Sequence, residues 1–207
     1  MFGTDFENLE TKDRILAVAM DMFFTKEYGK VTLKEIADAS GVTKGGIYHY
    51  FESKDHLLAE GIKFTFQMIM SEMDSLLEKN ISAKEVIASW FNIEKMMGAY
   101  AGVLTGEEAT ENLLQFMYLM LTSVKKSPEI KSLLSGLYMD SIDKIEDIFI
   151  RAQDSGEIRK DLNPRGLAVQ MVTSFEGATL LGGIAEDFDI VKLGQEIFES
   201  FWTQIKA

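Results

Sequence analysis

The sequence has no cysteine, two prolines, two histidines and no long apolar run. Without cysteine there is no disulfide framework and no thiolate metal site, and a reducing compartment is suited. The two prolines, Pro128 and Pro164, leave almost the whole chain free to form uninterrupted helix. The longest apolar stretches, such as "FMYLML", fall well short of the roughly 18 residues of a membrane span. The start, "MFGTDFENLE", lacks the cationic opening and apolar run of a signal peptide. A cytoplasmic location with no membrane partner is therefore expected. Positive charge is also scarce: 21 Lys and Arg face 33 Asp and Glu, a net charge of −12. That excludes coating nucleic acid or anionic membrane through bulk charge, but not a small local DNA-binding face.

What is present has the helical period. Residues 1–10 carry no pattern and read as a loose arm. From Thr11, the residues Ile15, Leu16, Ala19, Met22 and Phe23 share one face, and the spacing predicts a helix ending near Tyr28–Gly29. Thr32 and Glu35 have the capping-box spacing ahead of "LKEIADA". Gly41 marks a tight turn, Thr43 caps the next helix, and Ser53 caps a long one running from Lys54 towards Lys79. Ser82 and Glu85 repeat the capping-box spacing ahead of "VIASWFNIEKMMGAYA". Residues 101–106 read as a loop. "EEATENLLQFMYLMLTSVKK" is apolar almost all round and is predicted to be buried. Helix resumes at Pro128, and Asn163 with Pro164 opens another after the loop "DSGEIRKDLNP". Two helices, over roughly 164–186 and 190–206, close the chain. No stretch alternates like a strand.

The first three short helices, with a tight glycine turn between the second and third, suit a helix-turn-helix. The third, "GVTKGGIYHYF", carries adjacent glycines at 45 and 46, each costing a helix interior about 1 kcal/mol. A helix that enters the major groove, about 12 Å wide, needs its backbone close to bases and phosphates. Gly45 and Gly46 would permit that approach. Thr43, Lys44, Tyr48, His49 and Tyr50 could donate to phosphates or base edges, while Ile47 and Phe51 face inward. Thr32 joins this candidate DNA-binding set, although a cap alone would explain it. Any one tyrosine could equally be a packing residue with a wet hydroxyl. The seven-residue spacing of His49 and His56 lacks convergent ligands, so neither metal nor cofactor is expected.

These stretches, "RILAVAMDMFF" and "VTLKEIADASGVTKGGIYHYFESKDHLL", resemble the TetR family of bacterial transcriptional repressors across roughly residues 11–60. A weaker likeness extends through "SPEIKSLLSGLYMDSIDKIEDIFIRAQDSGEIRKDLNP". One departure stands out: Glu27 occupies a place where the family often has glycine. The resemblance implies an all-α chain of about nine helices. An N-terminal arm and helix-turn-helix domain (1–52) would precede a helical ligand-binding and dimerisation domain (53–207). It further implies that Lys54 contacts phosphate, that the partner is double-stranded operator DNA, and that the chain is a homodimeric repressor. A small apolar or amphipathic effector would release it from a palindromic operator.

Between Lys30 and His56 four cations, Lys30, Lys34, Lys44 and Lys54, meet four anions, Glu35, Asp38, Glu52 and Asp55. The module is locally neutral, so affinity must come from fit and from two copies acting together. Flexible and aromatic residues suggest an effector pocket: Trp90, Met97, Tyr100, Phe116, Met117, Met120, Tyr138 and Phe175. An ordinary core would use the same residues. The last two helices carry candidates for a four-helix dimer interface: Phe175, Ala178, Thr179, Gly182, Phe198, Phe201, Trp202 and Ile205. These faces could instead close the core of one chain. No nucleophile–base pair or phosphate loop supports an enzyme; a ligand carrier with a vestigial N-terminal module is the competing reading.

Overall fold

The computed structural model describes residues 9–26, 28–78, 81–92, 109–185 and 189–207. Side chains are described for all of these except 68–78, 109–114, 116, 126, 183 and 190. Among the described residues there are nine α-helices and no strand. They are α1 (Thr11–Thr25), α2 (Leu33–Ser40), α3 (Lys44–Tyr50), α4 (Lys54–Glu78), α5 (Ala83–Trp90), α6 (Ala109–Lys126), α7 (Pro128–Ser155), α8 (Pro164–Ile184) and α9 (Ile190–Ile205). The all-α class and helical count agree with the sequence reading. No described helix is long and apolar enough to cross a membrane. The predicted loop at 101–106, with Met97 and Tyr100, lies outside the described residues.

The chain divides into two compact units, Met1–Met68 with Ala99–Leu134, and Ile69–Gly98 with Ser135–Ala207. In the first, α1 buries Ile15, Leu16, Ala19, Met20, Phe23 and Phe24. It ends at Thr25 rather than near Tyr28–Gly29. Lys26 is extended, and Tyr28–Lys30 forms a short 3-10 turn. No left-handed glycine cap forms at Gly29; instead the Tyr28 ring returns to Phe23, with centroids 5.1 Å apart. The helix α6 departs from expectation. Leu119 and Met120 are buried, but Tyr118 and Leu121 are each 64% exposed, because within this unit one face of α6 packs on α1.

The contact between α1 and α4 is close enough to dictate a glycine. A Cβ added at Gly61 would overlap Met20 Sδ and fall 2.9 Å from its Cγ, and Met20 is fully buried. Gly61→Ala is therefore expected to destabilise the chain by about 1–3 kcal/mol, measured as a lower urea midpoint with unchanged slope.

The second unit has an aromatic core. Phe201 packs on Phe91 and Phe149, with ring centroids 6.2 and 6.1 Å away, and Trp90 meets Phe175 edge-on at 5.7 Å. The start of α5 is capped twice. Ser82 and Glu85 form the predicted capping box, and the Glu157 carboxylate accepts the Ala83 and Lys84 amides, each at 2.9 Å. These amides have no partner within the helix, so the carboxylate meets both free donors and the positive helix end. At the start of α8, Asn163 caps and Arg165 pairs with Asp143 and Glu146 of α7.

Candidate functional site

Local side-chain chemistry sets the geometry of α2 and α3. At the start of α2, Thr32 Oγ1 accepts from the Glu35 amide at 3.2 Å. Glu35 Oε2 accepts from both the Thr32 amide and hydroxyl, each at 2.8 Å. The hydroxyl bond from Thr32, followed by the backbone bond, holds the Glu35 carboxyl below its usual range. The Thr32 hydroxyl is thus engaged as a cap. At the other end, Gly41 takes the left-handed conformation, φ 69°, which L side chains avoid. Its neighbour Ser40 has its carbonyl covered by Arg14 Nε of α1 at 3.0 Å. Thr43 then accepts from the Gly46 amide at 3.0 Å and starts α3.

This arrangement gives α3 two unlike sides. Ile47 and Phe51 are buried. Thr43, Lys44, Gly45, Tyr48, His49 and Tyr50 are exposed, Gly46 partly so. Tyr48 is 50% exposed, with Lys44 Nζ 5.9 Å from its ring centroid. His49 lies edge-on to Tyr50 at 4.9 Å. The sequence-predicted donors of α3 therefore share one open surface, backed by a fixed apolar side. His56 does not join them, since its Nδ1 accepts the Glu52 amide at 3.2 Å. Among the described residues no group of three or more His, Asp or Glu could hold a metal ion.

Lys54, which the resemblance assigns to phosphate, has contacts of its own within the chain. Its ammonium donates to the Tyr28 carbonyl and lies 4.0 Å from the Tyr28 ring centroid. Tyr28 in turn donates to Asp55. Burial, with Asp55 adding to it, pushes the Tyr28 hydroxyl above its ordinary range. Lys54 thus ties the start of α4 to the turn after α1, and a phosphate would have to compete with that contact.

The expected effector residues fall in both units. In the second, Trp90 and Phe175 are buried and Tyr138 is half-buried. In the first, Met120 is buried and Met117 half-buried. The side chain of Phe116, with Met97 and Tyr100, lies outside the described residues. One polar group went unread in the sequence: Glu176, half-buried on α8, accepts from the Tyr138 hydroxyl at 2.8 Å. Burial holds its carboxyl above the usual range, against the pull of the tyrosine bond. The signal was a lone carboxylate within "VTSFEGATLLGGI".

Several expected interface residues are taken up by their own chain. Phe175, Ala178, Thr179, Phe201 and Ile205 are buried; Phe198 and Trp202 are half-buried against the same core, and Gly182 is partly exposed. The open apolar side of α8 is instead Val169, Leu180, Leu181 and Ile184, 40–65% exposed.

Comparison with known proteins places this geometry. The profile of bacterial regulatory proteins, tetR family, matches residues 15–60, which hold α2, α3 and most of α1. The HTH-type transcriptional repressor DhaR of Mycobacterium sp. (strain GP1) is 22% identical over 169 residues, 82% of this chain and 80% of that protein. The transcriptional regulator FadR from Bacillus subtilis, solved in complex with stearoyl-CoA, shares the fold with a TM-score of 0.74 at 19% identity, covering 92% of this chain and 97% of the other. A Saccharomonospora viridis protein solved in complex with choline does so with a TM-score of 0.76 at 18% identity, covering 95% and 97%.

Proposed function

We propose that the chain is a DNA-binding regulatory protein of the tetR family, a family of transcription factors rather than enzymes, and that it acts as a homodimeric repressor released from a palindromic operator by a small amphipathic effector. The observation that carries this reading is the two-sided α3, open at Lys44, Gly45, Tyr48 and His49 and closed at Ile47 and Phe51. The DNA-binding part would comprise residues 1–52, and the effector and dimer part 53–207. Its place of work is then the cytoplasm, with the DNA.

Dimerisation follows from charge and from α8. One locally neutral module in a chain of net charge −12 would bind weakly, and two linked modules gain through effective concentration. Val169, Thr173, Leu180 and Ile184 recur at helical spacing on one exposed side of α8. A second α8, helped by Gly182 and Trp202, would cover them. Two-fold pairing sets the recognition helices about 34–36 Å apart, one turn of DNA. The effector would favour dimers with another spacing and so shift the population away from the operator-competent form. Ligands held by two proteins of the same fold, stearoyl-CoA and choline, support an amphipathic effector walled in part by Trp90, Tyr138 and Phe175.

Selection of duplexes from a random pool by the whole chain tests the operator, and sedimentation tests the dimer. Enrichment of inverted repeats is expected, together with a dimer that Ile184→Glu converts to monomer. Enrichment of unpaired half-sites, or a wild-type monomer at micromolar concentration, would contradict the dimeric reading.

A further inference from the structure

One half-buried carboxylate and two buried polar atoms of the second unit share one region of α8 and its neighbours, and none of them is explained by the fold. Glu176 is the first. Among the described residues its one partner is the Tyr138 hydroxyl, on Oε1, and none of them is a cation paired with it. Burying a carboxylate without a counter-charge is costly, and glutamine could accept the same tyrosine bond without that cost. Trp90 Nε1 is the second and Thr179 Oγ1 the third; both atoms are buried with no hydrogen-bond partner among the described residues, and their residues are 5% and 1% exposed. Orphaned buried donors and acceptors are rare enough in native folds to need an explanation.

The fold draws these groups together. Trp90 lies edge-on to Phe175, Glu176 is the next residue, and Thr179 stands one helical turn beyond both. Tyr138 and Trp90 pack into the same core cluster as Phe175. A carboxylate lacking its cation, a hydroxyl able to accept, an indole N–H able to donate and two aromatic rings form a complementary set. Aromatic faces attract cations, and a carboxylate in low dielectric attracts them strongly.

We infer that Glu176, Tyr138, Trp90, Phe175 and Thr179 form the head-group subsite of the effector pocket, and that the head group is an ammonium ion on an apolar tail. The ammonium meets Glu176 and the Thr179 oxygen, and an oxygen on the ligand takes the Trp90 N–H. The inference rests on the reading of this unit as effector-binding, and it makes the ligand a lipophilic amine. The carboxylate is then a cost to the empty chain that the ligand offsets.

Calorimetry with decylamine, decanol and decanoate, each below its micelle concentration, tests the subsite on the wild-type chain and on Glu176→Gln. Decylamine is expected to bind about 10-fold or more tightly than decanol, and decanoate most weakly. Glu176→Gln should abolish the preference for the amine and raise the melting temperature of the empty chain. Equal binding of amine and alcohol, or a preference that survives Glu176→Gln, overturns the subsite while leaving an apolar effector pocket intact. Saturable binding of none of the three also overturns it; the wider effector reading is judged separately, by release of the selected operator in a compound screen.

Discussion

Gly45→Leu is expected to leave the folded chain as stable as before, or more stable, and to lower its affinity for operator DNA about 100-fold or more, close to 3 kcal/mol. The expectation rests on what Gly45 is not doing. A Cβ there meets only Thr43 Oγ1, at 3.8 Å, an ordinary contact. Its backbone is not left-handed; the positive-φ glycines among the described residues are Gly41 and Gly156. Glycine within a helix costs about 1 kcal/mol relative to alanine, so within the chain almost any other residue would serve better. The same comparison at Gly61 gives the opposite answer, because there Met20 fills the space. In the proposed complex, what makes glycine useful at 45 lies outside the chain, on the face that α3 would present to the groove. Gly46 is less open, since its added Cβ would touch Thr43 and Val42 at 3.5 Å. Chemical denaturation and mobility shifts on Gly45→Leu separate the two roles; wild-type DNA affinity in this variant would remove Gly45 from the DNA face.

The second large effect comes from the other side of the same helix. Phe51→Ala is expected to cost about 3–5 kcal/mol, against a typical total of about 5–15 kcal/mol for a folded domain. Phe51 is 1% exposed. Its ring lies 6.0 Å from His56 at the start of α4 and 5.9 Å from Lys12 Nζ of α1, whose ammonium pairs with Glu60 of α4 at 2.9 Å. One side chain thus joins α1, the end of α3 and α4. Its loss should lower the urea midpoint and remove DNA binding together. Tyr48→Ala, by contrast, removes a half-exposed ring and should change stability by no more than about 0.5 kcal/mol, while weakening operator binding about tenfold. A stable Phe51→Ala chain, or a Tyr48→Ala chain with full affinity, would reverse the assignment of the two sides.

Much of this was readable from residue order because caps are local chemistry. Thr32 with Glu35, Thr43, Ser53, Ser82 with Glu85, and Asn163 with Pro164 all sit within three residues of the groups they satisfy, and each stands where its spacing placed it. The end of α1 was not readable in this way, since the return of Tyr28 to Phe23 and its bond to Asp55 are tertiary. The sides of α8 were harder still. That helix is apolar nearly all round, so composition does not separate the buried Phe175 and Ala178 from the exposed Leu180, Leu181 and Ile184. Glu176 shows the same limit from the polar side, because nothing in its spacing reveals that Tyr138 lies 38 residues away in sequence but 2.8 Å away in space.

The central claim is that an acidic chain reads DNA through fit at α3 rather than through bulk charge. Fluorescence anisotropy with a labelled duplex from beside its own gene, against a scrambled duplex of equal length and composition, tests it most directly across a series of salt concentrations. The account predicts a preference of about 100-fold or more for the native duplex, with affinity for both falling as salt rises. Equal affinity for the two duplexes at low salt would contradict it.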